Sequence, residues 1–162
     1  MAIASPVQEF MAEHGLRYDV LSHPHSHSSS ETAQMAHVPG SCLAKCVVLE
    51  DDRGYLMAVL PATRHVQIGM LSKALSAQVR LAGEEELGRL FADCEPGAIP
   101  PMGAIYGMRM VMDDSLIEQP EIYFEAGDHE RVIQMSRDDF LAMMDMENAR
   151  HVHFGERTWY RH

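Results

Sequence analysis

Two runs of almost unbroken apolar residues, Leu43–Leu49 and Tyr55–Leu60, flank the turn-forming Asp51-Asp52-Arg53-Gly54. A strand that is apolar at nearly every position has no solvent face. The two runs therefore predict a hairpin buried on both sides. Lys45 interrupts the first run. An ammonium group in such a strand must reach a cleft or the sheet's edge, because burying it unpaired is costly.

The period changes several times around this hairpin. Upstream, Val7, Phe10, Met11 and His14 follow Ser5-Pro6 at helical spacing, and Gly15 fits the stop. Arg17–Ser22 alternates as a short strand, and Ser28 with Glu31 forms the S-x-x-E capping signature of a short helix ending before Pro39. Downstream, the pattern predicts a helix over about Val66–Leu75 and a short strand at Gln78–Ala82. A helix opening at Gly83 has acids in its first turn and turns Leu87, Leu90 and Phe91 inward. Strands follow at Met108–Asp114, Glu121–Gly127 and His129–Met135, with a turn of helix after the first and with Asp128 and His129 at the connection between the last two. Ser136 caps a final helix. The tail, residues 145–162, has weak periodicity and reads as a last strand with a polar end, or as a contact segment.

Interleaved helices and strands around a hairpin predict an α/β (α+β) fold: one domain over residues 1–162, with a mixed, largely antiparallel sheet flanked by helices. A chain of 162 residues with 46% hydrophobic content suffices for one core. No apolar run approaches the ~20 residues of a membrane-spanning helix, so no membrane partner is expected. The first residues have helical spacing without the basic start of a secretory signal. Cys42, Cys46 and Cys94 form no CxxC pair, and an odd, sparse set fits reduced thiols and a cytoplasmic location.

The net charge of -11 excludes a general electrostatic attraction to nucleic acid. Any such contact must be few and local, with Arg64, Lys73, Arg80 and Arg89 as the sparse candidates, or must be helped by a partner. His23, His25 and His27 alternate in an extended loop, which would point successive side chains apart, so no metal site is expected. They read as solvated or substrate-facing. The stretch Glu95–Gly107 holds three glycines and three prolines, the composition of a shaped loop whose backbone can approach a ligand. It matches neither the dinucleotide-binding nor the P-loop glycine pattern, and no cofactor is expected.

The segments AKCVVLED, LMAVLPA, RLAGEEEL, GAIPPMG, VMDDSL and YFEAGDHERVIQM, in that order, resemble the YbaK/ProX family of aminoacyl-tRNA deacylases, related to the editing domain of bacterial prolyl-tRNA synthetases. The resemblance runs from about Tyr18 to Met144. It implies hydrolysis of mischarged aminoacyl-tRNA, such as alanine or cysteine on a proline tRNA, by water or the substrate's own 2′-hydroxyl. It also implies a tRNA acceptor end as partner, with prolyl-tRNA synthetase as a source of tRNA affinity. Lys45 matches the family's signature lysine; Gly97, Pro101 and Gly103 match its GxxxPxG loop; Gly127 and His129 match its glycine-histidine element. Backbone N–H groups of the loop would stabilise the oxyanion, Lys45 would bind the terminal phosphate or ribose of the tRNA end, and His129 would orient the amino acid or the terminal ribose. His27, Ser28, Cys46, Ala98, Ile99 and Asp128 would border the substrate. Cys46 stands where alanine-editing members often carry asparagine, which bears on amino-acid specificity; the residue itself reads as a small buried hydrophobe. The alternative is a non-catalytic small-ligand or regulatory module that keeps the fold.

Overall fold

The structure is a computed structural model that describes residues 5–157. In chain order the elements are α1 (Ser5–Glu13), β1 (Asp19–Ser22), α2 (Ser29–Met35), β2 (Leu43–Asp51), β3 (Gly54–Pro61), β4 (Arg64–Val66), α3 (Ile68–Leu75), β5 (Arg80–Leu81), α4 (Glu84–Leu90), β6 (Arg109–Asp113), β7 (Glu121–Glu125), β8 (Arg131–Ser136), α5 (Arg137–Met146), β9 (Arg150–Val152) and β10 (Gly155–Arg157). Single 3-10 turns precede β2 and flank β6. The helix starts follow the capping logic: the hydroxyls of Ser28 and Ser136 accept from the backbone N–H of Glu31 and Asp139.

The main sheet has the order β1-β8-β7-β2-β3-β6-β9, with β5 attached to β2. It is mixed. β2 pairs antiparallel with β3 in the predicted hairpin but parallel with β7, and β6 lies parallel between β3 and β9. Both faces of the hairpin are covered. Val48, Met57 and Val59 join the large core with Phe124 and Phe140, while Leu49, Leu56 and Leu60 join a second core with Leu71 and Phe154. A third cluster joins α2 to the sheet through Ala33, Leu43, Ala62 and Val132. Among the described residues, no helix is long and apolar enough to cross a membrane.

Two expectations are corrected. Val66 ends a strand rather than starting α3; it pairs with Gly155, and Gln67 caps the helix by accepting from Met70 N–H. The tail contains two short strands instead of one, as far as it is described: β9 extends the main sheet and β10 pairs with β4. Neither has enough length or alternation to be read locally, because each exists through its partner. The last five residues of the tail lie outside the described residues.

Asp113, at the end of β6, anchors that tail. Its fully buried carboxylate accepts from Phe154 N–H at 2.9 Å, Gly155 N–H at 2.6 Å and Ser115 N–H at 3.2 Å, and from the Ser115 hydroxyl. A side chain at residue 155 would meet this carboxylate at 2.9 Å, so a glycine is required there. Asp113→Ala strands these buried donors and is expected to lower stability by about 3 kcal/mol, read as a lower urea midpoint. An unchanged midpoint would contradict the anchoring role.

Candidate active site

The parallel pairing of β2 with β7 matches Leu43 to Tyr123 and Ala44 to Phe124. The strands part there. Lys45 and Glu125 are the next residues of each, on the face that carries Leu43 and Tyr123. Glu125 is buried, and its Oε1 receives the Thr32 hydroxyl at 2.7 Å and faces His129 Nδ1 at 2.6 Å. His129 Nε2 faces the Pro96 carbonyl at 2.5 Å. Both ring nitrogens therefore meet oxygens, and with Glu125 ionised the imidazolium is the form that donates to both. Burial alone would lower the His129 pKa, but the Pro96 carbonyl and the Glu125 carboxylate outweigh it and raise the value above 6.5. Burial in turn pushes the Glu125 carboxyl up, against the pull of Thr32 and His129.

This bridge fixes the glycine-proline loop. Glu95 N–H donates to the Gly127 carbonyl at 2.9 Å, Gly127 N–H donates to the Ala98 carbonyl at 2.9 Å, and Ala98 N–H closes a turn onto Glu95 at 3.0 Å. The Glu95 side chain accepts from His129 N–H at 3.0 Å. Gly97 has φ +82°, in the region that favours glycine, and a side chain there would point at the His129 ring. Further along, Met102 N–H binds the Pro100 carbonyl and Gly103 N–H points at the Met110 sulfur. Gly103 is a packing glycine, since a Cβ there would lie 2.5 Å from the Met108 carbonyl oxygen.

These commitments single out two donors. Between Pro96 and Gly103 the prolines have no N–H, and those of Ala98, Met102 and Gly103 are taken. Among the described residues, the N–H groups of Gly97 and Ile99 make no intramolecular hydrogen bond. Both residues line a cavity of about 430 Å³, closed by Leu87, Gly88 and Phe91 of α4 and its end, with Cys94, Glu95 and Pro96 on the loop side. A largely apolar pocket walled by two residues with uncommitted N–H groups has room for a small side chain and candidate donors for a developing oxyanion.

Lys45 and Cys46 point to opposite faces of β2. The Lys45 ammonium is half-buried, lies 3.5 Å from the Ala62 carbonyl and, among the described residues, has no carboxylate within ion-pair distance. Burial lowers its pKa. Cys46 faces the large core, as does Cys94 from the cavity wall. Burial pushes the Cys46 thiol well above its ordinary range and Cys94 to about 11, so both remain neutral and are poor nucleophiles.

The histidine run differs from its sequence reading. The rings of His25 and His27 approach to 5.1 Å, and His25 lies 6.1 Å from His129 and 3.5 Å from Glu95. His23 is buried rather than solvated, with Nδ1 2.8 Å from the Pro24 carbonyl. The loop bends because Ser26 is pinned: its N–H and hydroxyl both bind the His129 carbonyl, at 3.1 and 3.2 Å. Among the described residues, no group of three His, Cys, Asp or Glu side chains is arranged to hold a metal. Ser28 caps α2, and Asp128 accepts from Glu130 and Arg131 N–H and pairs with the Arg131 guanidinium at 2.7 Å, so both have structural duties. Pro101 is buried in the loop. Sequence reasoning passed over Thr32, Glu95, Pro96 and Glu125. The four-residue spacing of Glu125 and His129 across a strand end was the one available signal for the pair.

A model of the aminoacyl-tRNA editing domain family matches residues 23–143, most of the chain, and the chain belongs to that family. Solved structures share the fold. A protein described as a candidate trans-editing enzyme for prolyl-tRNA synthetase is 18% identical, with 93% of this chain and 95% of that chain covered and a TM-score of 0.80. The hypothetical protein APE2540 is 21% identical over 94% of this chain and 100% of its own, at 0.82. A candidate signal-transduction protein of Marinobacter aquaeolei VT8 is 20% identical over 95% of this chain but only 31% of its own, at 0.75. No curated protein matches.

The bridge predicts a definite pH response. A histidine raised in the folded state stabilises fully below its ordinary value of 6.5, and that contribution is lost as pH rises through the higher folded value. NMR titration is expected to place the His129 midpoint above 6.5. The stability lost across that interval should be absent in His129→Gln. A midpoint below 6.5 would contradict the doubly bonded imidazolium.

Proposed function

We propose that this chain is a trans-editing deacylase that hydrolyses the ester of a mischarged aminoacyl-tRNA. The substrate class is a small amino acid, such as alanine or cysteine, on a proline-type tRNA. The observation that carries the reading is the pair of uncommitted N–H groups, Gly97 and Ile99, on a largely apolar cavity of about 430 Å³. The amino-acid side chain enters that cavity against Leu87 and Phe91. Its ester oxygen faces the two donors, which hold the negative charge that develops when the carbonyl carbon is attacked. Water adds to the carbon, the bond to the terminal ribose oxygen breaks, and that oxygen leaves with a proton. Attack by the neighbouring 2′-hydroxyl would only move the acyl group between hydroxyls, so water completes the hydrolysis in either case. The neutral thiols of Cys46 and Cys94 fit a route without a covalent enzyme intermediate.

His129 acts in this scheme as a positioning residue, because both of its nitrogens are occupied within the protein. Lys45 supplies a cation, without a carboxylate partner among the described residues, for the terminal phosphate or ribose. Exclusion of larger amino acids is steric, since favourable contact alone separates one methylene only modestly. A prolyl-tRNA synthetase would provide the tRNA affinity that a net charge of -11 withholds. The setting is the cytoplasm, where charged tRNA is used.

The test is deacylation of alanyl, cysteinyl, seryl and prolyl esters of a proline tRNA, with and without the synthetase. One or two mischarged species should be hydrolysed. Lys45→Ala should lower the rate on the order of 100-fold while the unfolding midpoint stays put. No turnover on any ester would favour a small-ligand module; an unfolded or fully active variant would remove Lys45 from the site.

A further inference from the structure

We infer that the polar pocket between the end of β3 and β10 is a phosphate-binding site, which extends the RNA contact outward from Lys45. The inference rests on the deacylase reading for the identity of its ligand. Arg64 and Arg157 are direct partners in the antiparallel pairing of β4 with β10. Like charges placed directly opposite destabilise a ladder. Among the described residues, neither guanidinium has a carboxylate within ion-pair distance. Arg64 gives one N–H to the Gly155 carbonyl at 3.1 Å, which leaves most of its donors available.

Both arginines line a cavity of about 430 Å³ whose walls also carry Ser41, Thr63, Ser115 and Glu118. The hydroxyls of Ser41 and Thr63 and two cations line it against one exposed carboxylate, while the Ser115 hydroxyl is committed to Asp113, in a chain that is strongly acidic overall. The wall is held in place: the buried Asp113 carboxylate binds the Ser115 hydroxyl and the backbone of Phe154 and Gly155, so it fixes the approach of β10 to β4. The wall residues Pro61 and Thr63 flank Ala62, whose carbonyl touches the Lys45 ammonium at 3.5 Å. Lys45 and the arginine pair therefore lie about one short segment, Pro61–Arg64, and form a local cationic track. Successive phosphodiesters of a single strand match such a track; a lone inorganic phosphate would need only the arginine end.

The experiment is fluorescence anisotropy of a labelled single-stranded RNA ending in CCA, titrated with the full chain across a salt series. Wild type, Arg64→Ala, Arg157→Ala and the double variant are compared, with thermal unfolding of each as a folding control. Each single substitution should weaken binding several-fold and flatten the log–log salt slope by about 0.7, the value for one lost single-strand phosphate contact. Arg64→Lys should retain the slope, which separates loss of charge from loss of fold. Equal affinity and slope in the double variant would overturn the site. So would inorganic phosphate that binds at the arginines, lost in the double variant, without competing with the labelled RNA, since that would make it a free-anion pocket. A wild type with no RNA affinity at any salt would overturn this site, and the deacylase reading would still stand or fall on the deacylation assay with the synthetase present; a binding wild type with indifferent variants would overturn this site alone.

Discussion

The candidate site depends on a single buried bridge, in which His129 spans Glu125 and the Pro96 carbonyl. Glu125 belongs to a central strand, and Pro96 belongs to a loop with no regular structure of its own. Without the bridge, the Glu95–Ala98 part of the loop would be tied to the end of β7 by the two backbone bonds to Gly127 and the Glu95 side-chain contact. Breaking a buried charged pair by removing one member costs about 3–5 kcal/mol, well above the worth of an exposed ion pair. The same residues also fold the histidine loop, because the His129 carbonyl binds Ser26 and Glu125 binds Thr32 at the start of α2. Helix, loop and strand end thus meet at one imidazole ring, and the geometry of the Gly97 and Ile99 donors follows from it.

Strand β2 divides the labour between its two faces. Cys46 faces the core shared with the cavity wall, while Lys45 faces the other way, toward Ala62. Successive residues of one rigid strand thus serve the core and the half-buried cationic position beside Ala62. This arrangement suits a protein with a net charge of -11. Several cations elsewhere are already paired: Arg17 with Asp139, Arg80 with Glu50, Arg109 with Asp51 and Arg131 with Asp128. Attraction to a nucleic acid must then come from a few well-placed cations.

Most of the fold was legible because its elements announce themselves locally. The hairpin carries two apolar runs about a turn, and the helices at Ser28 and Ser136 carry their caps. What escaped depends on distant partners. Val66 looks like the first apolar position of a helix until Gly155 arrives to pair with it. His23 is buried because β8 continues alongside it, with its N–H bound to the Glu130 carbonyl, and nothing in the local run of histidines and serines shows this. The site was legible in its residue types but not in their duties. Gly97, Gly127 and His129 lie together at the loop and the strand end, but His129 is fully engaged within the protein, and its partner Glu125 reads in sequence as an ordinary strand-end acid.

The most direct measurement is an amide chemical-shift map of the protein with a non-hydrolysable, amide-linked analogue of 3′-alanyl-adenosine. The expected result is that the Gly97 and Ile99 N–H resonances move downfield most, as they acquire an acceptor, while those of Ala98 and Gly103, already bonded, shift little. Saturable binding that leaves Gly97 and Ile99 unmoved, or that shifts Ala98 in their place, would contradict the assignment of the oxyanion donors and with it the account of how this loop works.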